Sequence, residues 1–263
     1  MSPNEFENRR TKVVIPARYA SSRFPGKPLV ELAGVPMVAR VYRKVAEALP
    51  ESEVLVAADD ERVADFLDAQ KIPCVMTSTG HESGTDRIEE VATKLAWGDE
   101  DLIVNVQGDE PLVPSNMLQT FAGFCSNRPK LEMATIACPV ESSELLHDSN
   151  LVKVIQNKKF QAIYFSRHCI PFFRDEPVGN WPCEIYLRHI GIYAYRRSIL
   201  RKITENSACQ LELAEKLEQL RAIWLGVAID IMQWGESPPH GVDTPEDAER
   251  VGNLLKQGEA YEY

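Results

Sequence analysis

The chain has 263 residues, 44% of them hydrophobic, and a formal net charge of −10 at pH 7. This length is enough to bury a substantial core, whereas the acidic balance disfavours nucleic acid or an anionic membrane as a partner for the whole surface. No run approaches the roughly 20 apolar residues of a membrane-spanning helix, and the polar start lacks the apolar stretch of a secretory signal. The six cysteines are scattered without a C-x-x-C pair, so we expect a cytoplasmic protein with reduced thiols.

Strand-like and helix-like segments alternate through the first half of the chain, which predicts a parallel sheet covered by helices. Residues 1–12 are predicted to form a disordered tail that precedes a single domain over residues 13–256. Strands are predicted at 13–15, 54–57, 74–76 and 102–106, and helices from 36, at 61–70 and at 84–96. Ligands of open α/β sheets bind at the carboxyl ends of the strands, so the loops after residues 15, 57 and 106 are the places to look for a site.

The segments become shorter after about residue 133, which predicts an antiparallel or mixed portion. Its strands are predicted at 133–140, 152–156, 162–165 and 190–195, with a long loop over 174–183. A helix over 211–225, a strand over 228–232 and a last helix over 245–256 complete the chain. Because no linker separates the two halves, we expect one body with a lobe over about residues 133–240 rather than two independent domains.

The loop after the first strand, PARYASSRFPGKP over residues 16–28, carries Arg18, Arg23 and Lys27 beside two serines. Arginine grips phosphate oxygens with a fork of N–H donors, and lysine acts as a compact point charge. Gly26 lets the backbone approach a phosphate closely. The pattern predicts a polyphosphate-binding loop; a solvated basic loop is the alternative.

Two acidic turns are candidates for a metal site. Asp109 follows the central predicted strand in a Gly-Asp turn, and Asp243 lies in the segment GVDTPED. Magnesium typically binds one or two carboxylates together with phosphate oxygens and waters. Each aspartate also has a structural alternative: Asp109 as a turn cap before Pro111, and Asp243 or Thr244 as a helix N-cap.

Several further residues carry weaker signals. The predicted helix start at Ser83 offers backbone N–H donors for an anion or a base edge, although a plain helix cap is as good a reading. Arg167 follows an apolar strand and suits a substrate carboxylate. His189 and Tyr193 are expected on the same face of a strand, where they are equally typical of a core. Glu218 lies on an amphipathic helix with a mostly solvated outer face.

Six motifs together resemble one enzyme family. RYASSRFPGKPL, VNVQGDEP, YFSR, RHIGIY, LEQLR and GVDTPED occur in this order over about residues 13–251. This set is similar to the CMP-Kdo synthetases, the 3-deoxy-manno-octulosonate cytidylyltransferases. The resemblance implies a three-layer, Rossmann-like α/β nucleotidyltransferase with a mixed, mostly parallel sheet and a smaller lobe of mixed strands. It also implies Mg²⁺-dependent transfer of CMP from CTP to the anomeric hydroxyl of Kdo, for lipopolysaccharide biosynthesis, by a cytoplasmic homodimer.

The same resemblance implies a role for each matching residue. Lys27, Arg18 and Asp109 would be catalytic, and Asp109 and Asp243 would bind magnesium. The CTP-binding residues would be Ala17, Arg18, Ser22, Arg23, Lys27, Ala58, Ser83, Gly84, Thr85 and Gln107. The sugar would be bound by Gln107, Arg167, His189, Tyr193, Glu218 and Gln219.

The chain departs from the family pattern at a few positions. Ala58 stands where a threonine is common, His168 and Cys169 replace smaller residues after Arg167, and residues 208–214 lack a usual proline. These departures leave open Kdo, its 8-amino variant or another close acidic sugar as the acceptor, and the number of magnesium ions is open as well. Two other functions are considered: a pyrophosphorylase that acts on a sugar 1-phosphate, and a CTP-binding regulatory protein.

Overall fold

The structure is a computed structural model that describes residues 11–20, 24–81, 83–177 and 180–257. These residues form two compact units. The first unit contains the described residues up to Ser126 and those from Pro238 onward, and the second spans Asn127–Ser237. The second unit includes most of the range 133–240 in which the sequence predicts a lobe. Of the predicted N-terminal tail only residues 11 and 12 are described, and Lys12 already belongs to the first strand.

The first unit contains a parallel sheet with its helices. In chain order the elements are β1 (Lys12–Ala17), β2 (Glu31–Leu32), β3 (Val35–Pro36), α1 (Met37–Ala48), β4 (Glu53–Ala58), α2 (Glu61–Ala69), β5 (Cys74–Met76), α3 (Gly84–Lys94), β6 (Leu102–Asn105) and α4 (Ser115–Ser126). A short 3₁₀ helix spans Lys27–Leu29. The last helix of the chain, Pro245–Lys256, also belongs to this unit.

The strands of this unit lie in the order β6-β1-β4-β5, and every neighbouring pair is parallel. β1 is central because it pairs with β4 on one side and with β6 on the other. Its residues Val13, Val14 and Ile15 have no solvent exposure, as expected for a strand covered on both faces. Parallel pairing brings the carboxyl ends of these strands to one edge. The loops that follow β1 and β6 therefore meet there, which confirms the parallel sheet predicted from the alternating segments.

Helix boundaries in this unit follow from caps that are visible in the sequence. Asp60 accepts a hydrogen bond from the backbone N–H of Arg62 at the start of α2, and Ser83 accepts one from the N–H of Asp86 at the start of α3. Side-chain oxygens at this position satisfy N–H groups that have no partner inside the helix. No helix among the described ranges is long and apolar enough to cross a membrane.

The second unit contains a mixed sheet. Its elements are β7 (Met133–Pro139), β8 (Lys153–Gln156), β9 (Ala162–Ser166), β10 (Leu187–Arg196), α5 (Arg197–Thr204), α6 (Gln210–Glu215), α7 (Gln219–Trp224) and β11 (Ile229–Gln233); the last helix of the chain is then α8. The pairs β7-β10, β10-β8 and β8-β9 are antiparallel, whereas β11 pairs with β7 in parallel. The mixed character predicted beyond residue 133 is confirmed, as is the α/β fold class.

The prediction of one helix over residues 211–225 is wrong, because the structure divides this segment into α6 and α7. Lys216 adopts the left-handed conformation, with φ of 54°, and its backbone N–H donates to the carbonyl of Glu212 at 2.7 Å. A lysine in this conformation costs roughly 1 kcal/mol and ends α6. An ion pair between Arg221 and the buried Glu212 links the two short helices. The helices α4 and α5 were not predicted from the sequence.

Candidate functional site

A cleft of about 360 Å³ lies at the carboxyl edge of the parallel sheet, within the first unit. It is lined by Pro16, Ala17, Arg18, Ala20, Lys27, Pro28, Met37, His81, Ser83, Gly84, Arg87, Gln107, Gly108, Asp109 and Asp243. The structure thus brings together most of the predicted nucleotide-binding residues and both predicted metal ligands. Ser22 and Arg23 lie outside the described residues.

The central feature of the cleft is the ammonium group of Lys27, which contacts two carboxylates. Its Nζ donates to Asp109 Oδ2 at 2.7 Å and to Asp243 Oδ1 at 3.1 Å. The Lys27 side chain is 11% exposed, that of Asp109 33% and that of Asp243 51%. Lysine and Asp109 are therefore the more enclosed pair, and Asp243 faces solvent at the mouth of the cleft.

Gly26 fixes the start of the short helix that carries Lys27. Its φ is 75°, a value that glycine adopts without steric cost, and its N–H donates to the carbonyl of Tyr19 at 3.0 Å. A Cβ atom added at Gly26 would lie 3.3 Å from the Tyr19 hydroxyl. The glycine of the predicted phosphate loop is thus required by the backbone conformation and is restricted further by the close aromatic ring.

The two acidic turns contact each other through their backbones. Val242 donates its N–H to the carbonyl of Asp109 at 2.8 Å. A Cβ added at Gly241 would lie 2.9 Å from that carbonyl oxygen, and one added at Gly108 would lie 2.5 Å from the Pro16 carbonyl oxygen. Glycine at these two positions allows the close backbone approach that brings both aspartates to Lys27, a role that was not predicted from the sequence.

The alternative role of Asp243 as a helix cap is taken by its neighbour. Thr244 is the N-cap of α8, and its side chain accepts from the N–H of Asp247 while Asp247 accepts from the backbone N–H of Thr244. This reciprocal pair is a capping box. Since Thr244 caps the helix, the carboxylate of Asp243 remains available to Lys27.

The donor set of the cleft fits magnesium. The carboxylates of Asp109 and Asp243 both accept hydrogen bonds from the Lys27 ammonium group. The two carboxylates are therefore close enough to contact the same cation. Within the described ranges no group of three or more His, Cys, Asp or Glu side chains could hold a metal by itself. A site with two carboxylates matches Mg²⁺, which takes its other ligands from substrate phosphates and water.

A buried ion pair that includes Arg87, one of the residues that line the cleft, was not predicted from the sequence. Arg87 donates to Asp59 Oδ2 at 2.9 Å, and the two side chains are only 2% and 4% exposed. Arg87 also donates to the hydroxyl of Thr77, and Asp59 Oδ1 accepts from the backbone N–H of Tyr19 at 2.9 Å. The pair therefore connects α3 and the segments that follow β4 and β5 to the loop after β1. Arg87 resembles an ordinary helix-surface charge in sequence, and only its burial reveals this role.

Two of the predicted nucleotide residues do not line the cleft. Ala58 is fully buried, and its carbonyl accepts from the N–H and hydroxyl of Thr77. Thr85 is buried inside the first turn of α3, whereas Ser83 and Gly84 at the start of that helix do line the cleft. Roles for Ala58 and Thr85 in binding cytosine or ribose stay predictions.

In the second unit, His189 and Tyr193 lie side by side with ring centroids 5.3 Å apart. The imidazole also forms a T-shaped contact with Phe165, with ring centroids 5.0 Å apart, and its Nε2 lies 3.1 Å from the Thr135 hydroxyl. This packing lowers the pKa of His189 to about 3 through desolvation, with a smaller effect from the Arg188 charge. Burial raises the pKa of Tyr193, with smaller contributions from Tyr195 and Glu218. Both rings are therefore neutral hydrogen-bonding groups at pH 7.

The other predicted sugar-binding residues of this unit differ in their surroundings. The guanidinium of Arg167 donates to the carbonyls of Glu215 at 2.7 Å, Ser149 at 2.9 Å and Lys216 at 3.4 Å. Gln219 is 6% exposed, and its Nε2 has no hydrogen-bond partner among the described residues. An amide donor buried in this way is well suited to a ligand oxygen.

The fold and the cleft define the class of α/β nucleotidyltransferases. An open parallel sheet carries at its carboxyl edge a lysine, an arginine and two carboxylates, the groups that position and neutralise a nucleoside triphosphate. A family model described as cytidylyltransferase matches residues 12–230. The chain therefore belongs to the cytidylyltransferase family.

Named relatives cover nearly the whole chain. The 3-deoxy-manno-octulosonate cytidylyltransferase 2 of Paraburkholderia phytofirmans is 54% identical over 92% of this chain and 93% of its own length. The protein of the same name from Burkholderia ambifaria is 51% identical over 95% of each chain. A solved structure of CMP:2-keto-3-deoxy-manno-octonic acid synthetase complexed with CTP is similar at a TM-score of 0.86 and 38% identity, covering 95% of this chain and 99% of that one.

The buried pair of Arg87 and Asp59 leads to a prediction on stability. Arg87→Met should lower the free energy of unfolding by about 3–5 kcal/mol, because it leaves the Asp59 carboxylate buried without a counter-charge. Replacing Asp59 as well should restore much of the loss. Urea denaturation of the single and double variants measures both effects, and a single variant as stable as the parent chain would contradict this role.

A matched pair of double variants separates the charge from the tether to Tyr19. Arg87→Met with Asp59→Asn keeps an oxygen that accepts from the Tyr19 N–H, whereas Arg87→Met with Asp59→Leu does not. We expect the Leu variant to bind CTP more weakly than the Asn variant, as measured by calorimetry. Equal affinities would show that the hydrogen bond to Tyr19 does not position the loop.

The lowered pKa of His189 predicts a pH dependence of stability. Between about pH 6.5 and pH 3, the His189 imidazole is protonated in the unfolded chain but stays neutral in the folded chain. The contribution of His189 is therefore complete above pH 6.5 and is lost as the pH falls, by up to about 1.4 kcal/mol per pH unit. His189→Gln should flatten the dependence of unfolding free energy on pH across this window. His168→Gln, at an exposed histidine of the same unit, is the control; identical curves for the two variants would contradict the assignment.

Proposed function

We propose that this protein transfers CMP from CTP to the anomeric hydroxyl of 3-deoxy-manno-octulosonate, Kdo, and releases pyrophosphate. The observation that carries the proposal is the Lys27 ammonium held between Asp109 and Asp243 at the carboxyl edge of the sheet. Relatives that are named for this reaction and align over more than nine-tenths of the chain support the choice of substrates.

The residues of the cleft suit a direct displacement at phosphorus. Lys27 supplies a compact positive charge to the phosphates, and Arg18 adds a fork of donors. The sugar hydroxyl attacks the α-phosphorus in line with the pyrophosphate leaving group, so catalysis consists of positioning and charge neutralisation. Asp109 and Asp243 would hold Mg²⁺, which when bound neutralises charge on the phosphate oxygens.

The acceptor sugar is assigned to groups of the second unit. The neutral imidazole of His189 and the neutral hydroxyl of Tyr193 suit a polyhydroxylated ligand, because each exchanges hydrogen bonds without an ionic preference. The free donor of Gln219 and the guanidinium of Arg167 would take carboxylate or hydroxyl oxygens. Glu218 of the second unit belongs to the proposed set, and Gln107, which lines the cleft of the first unit, is the remaining sugar residue that the family resemblance implies.

A substrate panel distinguishes this function from the alternatives. The protein is incubated with CTP, Mg²⁺ and, in turn, Kdo, 8-amino-Kdo, another acidic sugar and glucose 1-phosphate, and pyrophosphate release is measured. We expect release with an acidic sugar and none when the metal is chelated or when UTP or ATP replaces CTP. Release only with glucose 1-phosphate would support a pyrophosphorylase, and CTP binding without turnover on any acceptor would support a regulatory protein.

Lys27→Ala should reduce turnover by roughly 100-fold or more, the scale for removing one preorganised electrostatic contact to a transition state. The fold should persist, which far-UV circular dichroism checks. Lys256→Ala removes an exposed lysine from the same unit and serves as the control. Turnover close to that of the parent chain at saturating CTP would contradict the role of Lys27.

Arg167→Ala should raise the KM for the acidic sugar by roughly tenfold or more, since an ion-assisted hydrogen bond to a carboxylate contributes about 1.5–3 kcal/mol. The affinity for CTP should change little. Separate titrations with each ligand measure the two effects. Loss of CTP binding with sugar binding retained would assign Arg167 to the nucleotide instead.

We also propose that the protein works in the cytoplasm as a homodimer formed through the second unit. β9 is an edge strand among the strands described, and α7 packs against it. Phe160, Ile163, Leu213 and Trp224, on and around these elements, are each more than half exposed. Trp224→Glu should shift the mass in light scattering from dimer to monomer, while Phe172→Glu, at another exposed aromatic residue, should not. A monomeric parent chain would overturn the proposal.

A further inference from the structure

A second cavity of the first unit, about 250 Å³ in volume, shares no residue with the nucleotide cleft. One wall is formed by charged side chains on two successive turns of α1, namely Arg40, Arg43, Lys44 and Glu47. Three cations face one carboxylate, in a chain whose formal net charge is −10. A local excess of positive charge on an acidic protein requires a physical explanation.

None of the carboxylates that the structure describes forms an ion pair with the cations of this wall. Arg40 donates two hydrogen bonds to the carbonyl oxygen of Leu32, at 2.7 and 3.0 Å, and Arg43 donates to the side-chain oxygen of Gln70 at 3.0 Å, so both contact neutral acceptors. Lys44 forms no hydrogen bond or ion pair with any part of the chain that the structure describes, and Glu47 forms no ion pair with the three cations. Burial lowers the pKa of Arg40, and the nearby Arg43 charge lowers it further.

The opposite wall is apolar. Val35, Pro111, Leu112 and Leu255 line it, from β3, the turn after β6 and the end of α8. Pro111 and Leu112 are buried and give this wall a fixed shape. A purely ionic ligand would leave this surface uncovered, whereas an apolar ligand would leave the cations unpaired. The two walls together select a small molecule that has an anionic head and an apolar body.

We propose that this cavity binds a small organic anion, with a phosphate or carboxylate head on the cations of α1 and an apolar body against Leu112 and Leu255. Arginine and lysine suit such a head because they provide bidentate and point-charge contacts, respectively. The site differs from the nucleotide cleft in its residues and in its amphiphilic walls.

The same elements connect the cavity to the nucleotide cleft. Met37, the first residue of α1, lines the cleft, while later turns of the helix line the cavity. Pro111 follows Asp109 by two residues, and Arg40 holds the carbonyl of Leu32 in the segment that follows the Lys27 helix. These shared elements predict that occupation of the cavity changes the affinity for CTP, and such a coupling is reciprocal.

The test uses phenyl phosphate as the probe and isothermal titration of the full chain. The titration is performed with saturating CTP, so that the nucleotide cleft is filled. We expect one equivalent of phenyl phosphate to bind, and we expect benzoate to bind if the cations accept either head. Phenol and inorganic phosphate, each of which engages one wall alone, should bind at least about tenfold more weakly. No binding of phenyl phosphate and benzoate, or binding that CTP abolishes, would overturn the proposal.

Variants assign the binding to this cavity. Arg43→Ala with Lys44→Ala should weaken phenyl phosphate binding by roughly tenfold or more, because two contacts with the anionic head are lost. Leu255→Ser should weaken phenyl phosphate without changing inorganic phosphate. Lys159→Ala, at an exposed lysine of the second unit, should change neither, and unchanged affinity in the double variant would overturn the site.

A final titration tests the connection to the cleft. The dissociation constant for CTP is measured with and without saturating phenyl phosphate, and that for phenyl phosphate with and without CTP. The two ratios must be equal if the sites are coupled. A ratio of one in both experiments would overturn the coupling, and the binding experiments above would still decide the site itself.

Discussion

The contact of one lysine with two aspartates is the interaction on which the first unit depends. Lys27 is separated from Asp109 by 82 positions and from Asp243 by 216, so the ion pairs join the start, the middle and the end of this unit. Three partly buried charges must lose hydration to meet, and their attraction offsets that cost only when the geometry is well defined. The backbone supplies the geometry, since Gly108 and Gly241 permit approaches that any side chain would block. Stability and chemistry therefore impose the same requirement on these turns.

A second set of buried charges supports the first from below. Arg87 and Asp59 compensate each other, and Asp59 also holds the backbone of Tyr19. Tyr19 in turn accepts from Gly26, the residue that begins the Lys27 helix. Consequently Tyr19 and Gly26, in the parts of this loop that the structure describes, are bonded to each other and attached to the buried ion pair.

Whether each of these features can be predicted from the sequence depends on how far apart the interacting residues lie along the chain. Runs such as Val13 to Ile15 and caps such as Ser83 act locally, so the four strands of the parallel sheet and the helices α2, α3 and α8 are predicted from the sequence, whereas the short strands β2 and β3 and the helix α4 are not. The break at residues 216–218 is not predicted because no glycine or proline marks it, and Lys216 ends α6 in the left-handed conformation. Arg87 and Arg40 were missed for another reason: a charge on a helix reads as solvated until its burial is known. The motif resemblance placed Asp109 and Asp243 together, and the structure adds the backbone contact that unites them.

The two units differ in the chemistry that they offer. In the first, the functional side chains are charged and compensate one another, which suits a ligand that brings several negative charges and a metal ion. In the second, desolvation lowers the pKa of His189 and raises that of Tyr193, so these groups stay neutral across the physiological range. Neutral donors and acceptors discriminate by the position of hydroxyl groups, because a misplaced hydroxyl leaves a buried partner unsatisfied. A charged site distinguishes ligands by their number of phosphate groups, whereas a neutral site distinguishes them by the positions of their hydroxyl groups. If the acceptor sugar binds as proposed, its selection depends on the residues around His189, and the departures at His168 and Cys169 lie in the same unit.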